Sequence, residues 1–258
     1  MASDAGDGVR HAARQPGGAA PDLEPSHVTD LFDRNAATYD RINTIISFGL
    51  DARWRRWAAR QAAPRISRSS VRPPRLLDAC AGTGLLALDL ARRGATVTAV
   101  DAAPRMLAVA RHRLATAGLP LRTVVADLSD PVVADTLGGP FDAITLGFGL
   151  RYFADPGALL RPLRGLLAPG GRLVVVEAVH PPRDVLGTAA GFYFFQVAPR
   201  LGAALAGRAE LYAFLTATTR ALGSANDVAA HLRAARFAVA VRRRLACGVV
   251  AGFVARPD

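Results

Sequence analysis

From residue 75 onward, short apolar runs alternate with segments whose apolar residues recur at helical spacing. The apolar runs predict five strands, at Arg75–Asp78, Thr96–Val100, Arg122–Val125, Phe141–Leu146 and Arg172–Glu177. The periodic segments predict helices between them, at Leu85–Arg93, Arg105–Ala117, Pro131–Leu137 and Pro156–Leu167. A turn is predicted at Ala168–Gly171. This alternation predicts βαβ units and an α/β fold with a mostly parallel sheet covered on both faces.

The rest of the chain departs from that alternation and sets the predicted boundaries. Residues 1–25 are small, polar and proline-bearing, which is typical of a disordered tail. A first helix is expected after a candidate N-cap at Ser26. The pattern predicts one domain at 26–258, made of N-terminal helices at 26–74, a core at 75–180, a helical and aromatic-rich cap at 181–222, and a closing helix and antiparallel hairpin at 223–258.

Composition narrows the class of protein. The 258 residues are 51% hydrophobic and 21% charged, which is typical of a folded globular chain. No apolar run reaches the roughly 20 residues that a membrane span needs, and residues 1–25 lack the apolar stretch of a secretory signal, so a cytoplasmic location is expected. The two cysteines predict neither a disulfide framework nor a metal site.

The net charge of +11 comes from arginine alone, because the chain has no lysine. The arginines are dispersed along the chain, a pattern that favours a solvated basic surface over nucleic-acid binding. The second interpretation is weak, peripheral attraction to an anionic membrane surface.

The stretch Leu76-Leu77-Asp78-Ala79-Cys80-Ala81-Gly82-Thr83-Gly84 combines a strand end, a glycine turn and a helix start. Glycine permits a close approach by a ligand, and the helix N-terminus offers unpaired N–H groups. The third glycine of a dinucleotide loop and the lysine of a phosphate loop are both missing. Asp78 would repel a phosphate and suits a cationic or amino-bearing ligand.

Two further carboxylates follow successive predicted strands. Asp101 ends the second strand, where a carboxylate can accept hydrogen bonds from ribose hydroxyls. Asp127 ends the third, where it can accept from an exocyclic amine such as that of adenine. Each alone is also typical of a helix cap or a surface residue. Because ligands bind outside the carboxyl ends of parallel strands, the set together predicts an S-adenosylmethionine site.

The loop, Asp101, Asp127 and the turn at Leu167–Leu173 resemble the class I S-adenosylmethionine-dependent methyltransferases. Across residues 28–254 the chain more closely resembles the ubiquinone/menaquinone biosynthesis C-methyltransferase family. That resemblance is carried by segments outside the loop, at Phe32–Asn43, Ser47–Gly49, Phe141–Arg151, Phe194–Gly202, Tyr212–Leu215 and Gly248–Ala251. It implies a Rossmann-like, mostly parallel seven-stranded sheet with a terminal antiparallel hairpin and a helical cap.

The resemblance also implies an activity and a set of site residues. The expected reaction is methyl transfer from S-adenosylmethionine to a ring carbon of a prenylated quinol such as demethylmenaquinol. A homodimer is among the expected partners, beside the hydrophobic acceptor. The implied cofactor contacts are Tyr39, Asp78, Gly82, Thr83, Gly84, Asp101, Met106, Asp127, Leu128 and Gly147.

Three residues are candidates for the chemistry. Arg151 can favour a phenolate but not act as a base, since arginine stays protonated, and a structural salt bridge is the alternative role. Tyr152 follows it. His180 can titrate near neutral pH and serve as the base, or be a polar loop residue. Aromatic residues of the cap either line a channel for the prenyl tail or pack as core; they are Phe192–Phe195, Tyr212 and Phe214.

Departures from the resembled family fall on the acceptor side. Gly147 stands where that family usually has serine, Tyr152 where it has asparagine, and Ala178–Pro181 where it has Phe-Ser-Lys-Pro; Ala221–Ser224 replaces a Pro-x-Gln element. A second hypothesis is therefore a secondary-metabolism methyltransferase or cyclase acting on a terpenoid or polyketide. A third is a non-catalytic scaffold or nucleic-acid binder, against which the intact loop argues.

Overall fold

A computed structural model describes residues 24–63, 72–130, 132–207 and 209–258. The predicted tail at 1–25 lies mostly outside the described residues, as do residues 64–71 of the predicted N-terminal segment. No helix within the described ranges is both long and apolar enough to cross a membrane.

The described residues form a seven-stranded sheet in the order β3-β2-β1-β4-β5-β7-β6. Its strands are β1 (Arg75–Ala79), β2 (Thr96–Asp101), β3 (Arg122–Val125), β4 (Phe141–Gly147), β5 (Leu167–Ala178), β6 (Phe237–Leu245) and β7 (Val250–Pro257). Strands β1 to β5 are parallel, whereas β7 runs antiparallel to both β5 and β6. The predicted parallel sheet with a terminal antiparallel hairpin is confirmed.

Helices cover both faces of the sheet and one of its edges. In chain order they are α1 (Pro25–Asp33), α2 (Tyr39–Ile46), α3 (Leu50–Ala62), α4 (Leu85–Ala91), α5 (Pro104–Thr116), α6 (Val133–Leu137), α7 (Pro156–Gly165), α8 (Val185–Phe192), α9 (Ala198–Ala206), α10 (Ala209–Leu222) and α11 (Ala225–Ala234). A π-helical segment, Tyr193–Val197, joins α8 to α9. The region predicted as a cap thus consists of α8, the π segment, α9 and α10.

Most bounds differ from the sequence predictions by one or two residues, and three differences, at β5, α7 and α1, have a structural reason. The predicted turn at Ala168–Gly171 lies within β5, because Leu167 already pairs with Phe141 and the register shifts before the next pairing. Helix α7 therefore ends at Gly165 rather than at Leu167. Ser26 is not the N-cap of α1: the helix begins one residue earlier, at Pro25, whose ring presets the backbone angle of a first helical position.

The core consists of two apolar layers on either side of the sheet. One layer joins α7 and α11 to the sheet, with Leu159 and Leu232 fully buried. The other joins α3 and α4, with Trp57 and Leu90 buried. Because both layers cover the faces of the sheet, the site lies at the carboxyl ends of the parallel strands β1, β2, β4 and β5.

Candidate active site

A cavity of about 730 Å³ lies against the carboxyl ends of the parallel strands. Its strand-end side is formed by Asp78, Asp101, Asp127 and Gly147, each following or ending a different strand. Helices α1 and α2, the π segment and α10 form the opposite side. Within the described parts of the chain, no cluster of three histidine, cysteine or acidic residues could hold a metal ion.

Two glycines favour the conformation of the glycine loop between β1 and α4, and at Gly84 a side chain would also clash. Gly82 and Gly84 have φ angles of +53° and +75°, in the left-handed region. A Cβ on Gly84 would come within 2.6 Å of Ala110 Cβ in α5. The loop therefore lies flat against α5, and its backbone N–H groups are turned toward β2.

Asp101, at the end of β2, fixes the loop to the sheet. Its two carboxylate oxygens accept hydrogen bonds from the backbone N–H groups of Gly82, at 2.7 Å, and Ala103, at 2.9 Å. Burial raises the pKa of the Asp101 carboxyl, and the backbone hydrogen bonds oppose that rise. The carboxylate lines the cavity in one orientation, with its remaining lone pairs able to accept ligand hydroxyls.

Asp78 is the buried acid of the site. One of its oxygens accepts a hydrogen bond of 2.6 Å from the Thr145 hydroxyl, and the other has no partner in the described structure. Burial raises the pKa of this carboxyl to about 7. A buried carboxylate oxygen without a partner is costly, and a cationic ligand group would compensate for it.

The third strand end is less buried and more apolar. Asp127 is half-buried, and its carboxylate accepts a hydrogen bond of 2.8 Å from the N–H of Ser129. Met106 and Leu128 are buried and line the same part of the cavity. At Gly147, a Cβ would lie 3.4 Å from the Leu86 side chain. This side of the cavity suits a flat aromatic base.

Helix α2 is attached directly to the glycine loop. The Thr83 hydroxyl donates to one oxygen of Asp40 at 2.7 Å, and Arg113 pairs with the other oxygen at 2.6 Å. Arg113 also donates to the Thr83 carbonyl. Asp40 and Arg113 were not predicted as site residues; Asp40 stands in the Tyr-Asp segment that carried the resemblance, but nothing in the sequence pairs it with Arg113.

The same attachment carries Tyr39 over the cavity. Its ring packs edge-on against Phe32, with centroids 5.6 Å apart. Burial raises the pKa of the Tyr39 hydroxyl, and the nearby Arg151 cation opposes that rise. Tyr39 is therefore a neutral phenol at physiological pH, placed between the loop and Arg151.

Arg151 lies on a 3₁₀ turn, Leu150–Tyr152, directly after β4. Its guanidinium pairs with Glu177 of β5 at 2.6 Å, and both side chains are almost completely buried. Glu177 also accepts the backbone N–H groups of Leu150, at 2.9 Å, and Ala178, at 2.8 Å. The predicted alternative of a salt bridge is thus present, although Arg151 also lines the cavity. Glu177 was missed as a site residue, although an acidic residue near the end of an apolar strand was a readable signal.

Tyr152 extends this buried group. Its hydroxyl accepts a hydrogen bond of 2.7 Å from Arg151, and its ring stacks on Phe214 with centroids 5.8 Å apart. Phe32 packs edge-on against the same ring. Burial raises the pKa of the Tyr152 hydroxyl far above its ordinary value, so this group is also a neutral phenol.

His180 is not brought to the cavity. It is exposed, its ring lies 5.6 Å from Phe195, and it is absent from the cavity lining. Its backbone pairs with that of Ser224, the N-cap of α11. The structure therefore does not bring the imidazole to the cavity beside Arg151 and Tyr152, and the role of His180 as base stays a prediction.

The aromatic residues of the predicted channel divide between cavity, core and surface. Tyr193, Phe194 and Tyr212 line the cavity, whereas Phe214 backs Tyr152 and Phe192 is exposed. Tyr212 is buried, and its hydroxyl has no hydrogen-bond partner in the described structure.

The strand order and the strand-end site define the class I S-adenosylmethionine-dependent methyltransferases. The fold is similar to that of magnesium protoporphyrin IX methyltransferase from Synechocystis PCC 6803 with bound S-adenosylmethionine, with a TM-score of 0.59, 17% identity and coverage of 94% of this chain and 100% of that one. It is also similar to that of the cyclase SpnF, with a TM-score of 0.62, 17% identity and coverage of 95% and 99%. These likenesses concern the fold alone.

The chain belongs to the ubiE/COQ5 methyltransferase family, whose family model matches residues 21–256. A demethylmenaquinone methyltransferase of Thermus thermophilus is 40% identical over 81% of this chain and 92% of its own length. Another, of Clavibacter sepedonicus, is 37% identical over 88% and 89%. The predicted family and the predicted activity, methyl transfer from S-adenosylmethionine, are confirmed.

Proposed function

We propose that this methyltransferase transfers a methyl group to a ring carbon of a prenylated quinol such as demethylmenaquinol. One observation carries the acceptor: the cavity continues beyond the strand ends into an apolar and aromatic half under the cap, where Arg151 is the buried cation. The names of the relatives, demethylmenaquinone methyltransferases, support the same acceptor class.

The strand-end residues fit S-adenosylmethionine. The unpaired oxygen of Asp78 suits the ammonium of the methionyl part, the fixed carboxylate of Asp101 suits the ribose hydroxyls, and Asp127 suits the adenine amine. Met106 and Leu128 would hold the adenine ring between apolar surfaces. When bound, the cofactor supplies an electrophilic methyl group on a sulfonium.

On the acceptor side, the buried residues stabilise charge rather than take a proton. Arg151 stays protonated, and the hydroxyls of Tyr39 and Tyr152 stay neutral because burial raises their pKa values. A fixed guanidinium in a largely apolar cavity favours the ionised hydroxyl of a quinol, which makes the neighbouring ring carbon more nucleophilic. The Glu177 carboxylate holds that guanidinium in place. Aromatic packing around Tyr152 would orient the quinol ring.

Mass spectrometry of the products tests the acceptor. The protein is incubated with S-adenosylmethionine and, separately, with demethylmenaquinols of several tail lengths and with terpenoid and polyketide phenols. The proposal expects a ring-methylated quinol. Methylation of only the terpenoids or polyketides would replace it by the second candidate, a secondary-metabolism methyltransferase. That candidate is favoured by Tyr152, which fills the acceptor side with a stacked ring where the resembled family has asparagine.

Replacing Tyr212 with phenylalanine is expected to raise the KM for the quinol by about three- to tenfold, because the buried hydroxyl would lose one hydrogen bond to an acceptor oxygen. Stability should be unchanged or slightly higher, since the free protein loses an unsatisfied polar group. Steady-state kinetics and thermal unfolding measure the two effects.

The matched control is Tyr193→Phe. The Tyr193 hydroxyl donates to the Ile46 carbonyl at 2.8 Å, so its loss should cost about 1 kcal/mol of stability with little change in KM. A Tyr212→Phe protein with an unchanged KM would contradict the proposed contact.

The affinity for S-adenosylmethionine is expected to depend on pH through Asp78. The pKa of this carboxyl is raised to about 7 by burial, so it is protonated in the free protein at lower pH, whereas a bound ammonium requires the carboxylate. Binding below pH 7 must therefore release a proton, and Kd should rise about tenfold for each pH unit below about 7. Calorimetry across this range measures Kd. An Asp78→Asn protein should bind weakly with no such pH dependence; an unchanged pH profile in that variant would assign the titration to another group.

The tail of a prenylated quinol resides in a lipid bilayer, so the proposal includes peripheral association with a membrane. The predicted homodimer stays a prediction.

A further inference from the structure

The exposed apolar side chains are concentrated at one place on the molecule. Of the eleven large apolar side chains exposed in the described ranges, eight lie in residues 45–48 and 185–205. We call these eight the cap-mouth surface; they are Ile45, Phe48, Val185, Leu186, Phe192, Val197, Leu201 and Leu205. Val185 is 84% exposed and Phe48 is 73% exposed, values that a purely structural role does not require.

The spacing of these residues places them on faces of one helical run. Val185 and Phe192 are seven residues apart on α8, which returns them to the same side of the helix. Val197, Leu201 and Leu205 follow at intervals of four along α9 and its start. Five of the eight residues therefore form two apolar stripes rather than scattered single exposures.

Helix α2 joins this surface to the cavity. The Tyr193 hydroxyl donates to the Ile46 carbonyl, and the Phe48 ring lies 5.2 Å from the Tyr193 ring. Both rings also line the cavity. The cap-mouth surface therefore adjoins the cavity through Phe48, which belongs to both.

The exposed side chain of Phe48 is carried by a strained backbone. Its φ angle is +51°, in the left-handed region that bulky residues avoid, and Gly49 after it has a φ angle of +72°. Such conformations cost free energy and persist where they serve a function. At Phe48 the conformation presents an aromatic ring to the exterior, at the mouth of the cavity.

The charges around the surface are basic. Arg41, Arg53, Arg183 and Arg200 are exposed on or beside its elements. Between residues 183 and 207 the acidic residue is Asp184, and it is paired with Arg244. A second copy of a chain with a net charge of +11 would bring like charges together, whereas an anionic lipid surface complements them.

We propose that the cap-mouth surface docks on a bilayer that carries anionic headgroups. The apolar stripes enter the boundary between headgroups and acyl chains, and the flanking arginines contact the headgroups. The prenyl tail can then pass from the bilayer into the cavity without crossing water. The last step rests on the proposed acceptor, whereas the docking itself does not.

Flotation with lipid vesicles tests the docking. The full chain is mixed with vesicles of phosphatidylcholine and phosphatidylglycerol, and separately with vesicles of phosphatidylcholine alone. A triple variant, Val185→Ser/Leu186→Ser/Phe192→Ser, removes three apolar side chains outside the cavity lining. We expect its partition onto the mixed vesicles to fall by about 100-fold. Val132→Ser is the matched control, because Val132 has the same 65% exposure as Leu186 and Phe192 but lies outside the surface.

Each outcome decides the proposal. Binding of the wild type to mixed vesicles, reduced by salt and by the triple change but not by Val132→Ser, supports it. Equal flotation of all variants, or none of the wild type, overturns it. A wild-type dimer in analytical ultracentrifugation that the triple variant dissociates, without vesicle binding, would assign the surface to a second copy. Methylation of a short-tailed quinol without vesicles is measured in parallel and should be equal in the wild type and the triple variant. If the wild type does not methylate this quinol, the proposed acceptor is contradicted, and the docking result is unaffected.

Discussion

An Asp101→Ala protein is expected to bind S-adenosylmethionine about 100- to 1000-fold more weakly than the wild type. Two effects add: the charged acceptor for the ribose hydroxyls is lost, and the N–H groups of Gly82 and Ala103 lose the carboxylate that orders the glycine loop. Each charge-assisted hydrogen bond contributes roughly 1.5 to 3 kcal/mol. Isothermal titration calorimetry measures Kd directly.

Asp130→Ala is the matched control for this change. Asp130 also accepts a backbone N–H, that of Val132, at 2.9 Å, but it does not line the cavity. It should leave the affinity for the cofactor within about twofold of the wild type. Tight binding by the Asp101→Ala protein would show that the ribose lies elsewhere in the cavity.

An Arg151→Met protein is expected to lose about 3 to 5 kcal/mol of unfolding free energy, because Glu177 is left as a buried charge without its partner. For a chain of this length the loss corresponds to a fall in Tm of roughly 6 to 20 °C. Methyl transfer should fall by about 100-fold or more, since the cation that favours the phenolate is gone. Denaturant unfolding, calorimetry and the initial rate measure these effects.

A second change separates stability from chemistry. In Arg151→Met/Glu177→Gln the buried charge is removed, and the amide oxygen can still accept one of the two backbone N–H groups, of Leu150 and Ala178, that bond different oxygens of Glu177. We expect part of the stability to return and the activity to stay low. A double variant that regains activity would assign Arg151 a purely structural role.

The exposed pair of Arg72 and Asp142 shows why burial sets the size of the effect. It forms two hydrogen bonds, of 2.8 and 3.0 Å, similar in length to the buried bond. Because both partners contact water, Arg72→Ala should change the unfolding free energy far less than Arg151→Met does. The difference in stability loss between the Arg72 and Arg151 variants tests whether burial sets the size of the effect.

The predicted fold could be obtained from local patterns because each strand and helix has its own periodicity. The strand at Arg122–Val125 has the predicted bounds, and the other core strands differ by a few residues at their ends. The largest difference, at Ala168–Gly171, arose because a glycine turn inside a strand cannot be told from a turn before it by sequence alone. Pairing with Phe141, far away in the chain, decides that the strand begins at Leu167.

In the candidate site, too, some residues could be predicted from local sequence and others could not. Asp78, Asp101 and Asp127 were predictable because the end of a strand is a local feature, and parallel strands bring their ends together. The Asp40–Arg113 pair joins residues 73 positions apart, and the Arg151–Glu177 pair joins residues 26 apart, so no local pattern indicates either. His180 was expected at the site because it follows the last core strand, but its side chain is exposed, packs near Phe195 and is absent from the cavity lining.

By itself, the sequence determined the order of strands and helices, the glycine loop and the acidic strand ends, since each depends on neighbouring residues and on sterics that act within a few positions. Only the tertiary structure decided which charges are buried and paired, which hydroxyl has no partner and which apolar side chains remain exposed. Those properties depend on contacts between distant segments, where burial determines the pKa of Asp78, the strength of the Arg151 pair and the surface at Phe48.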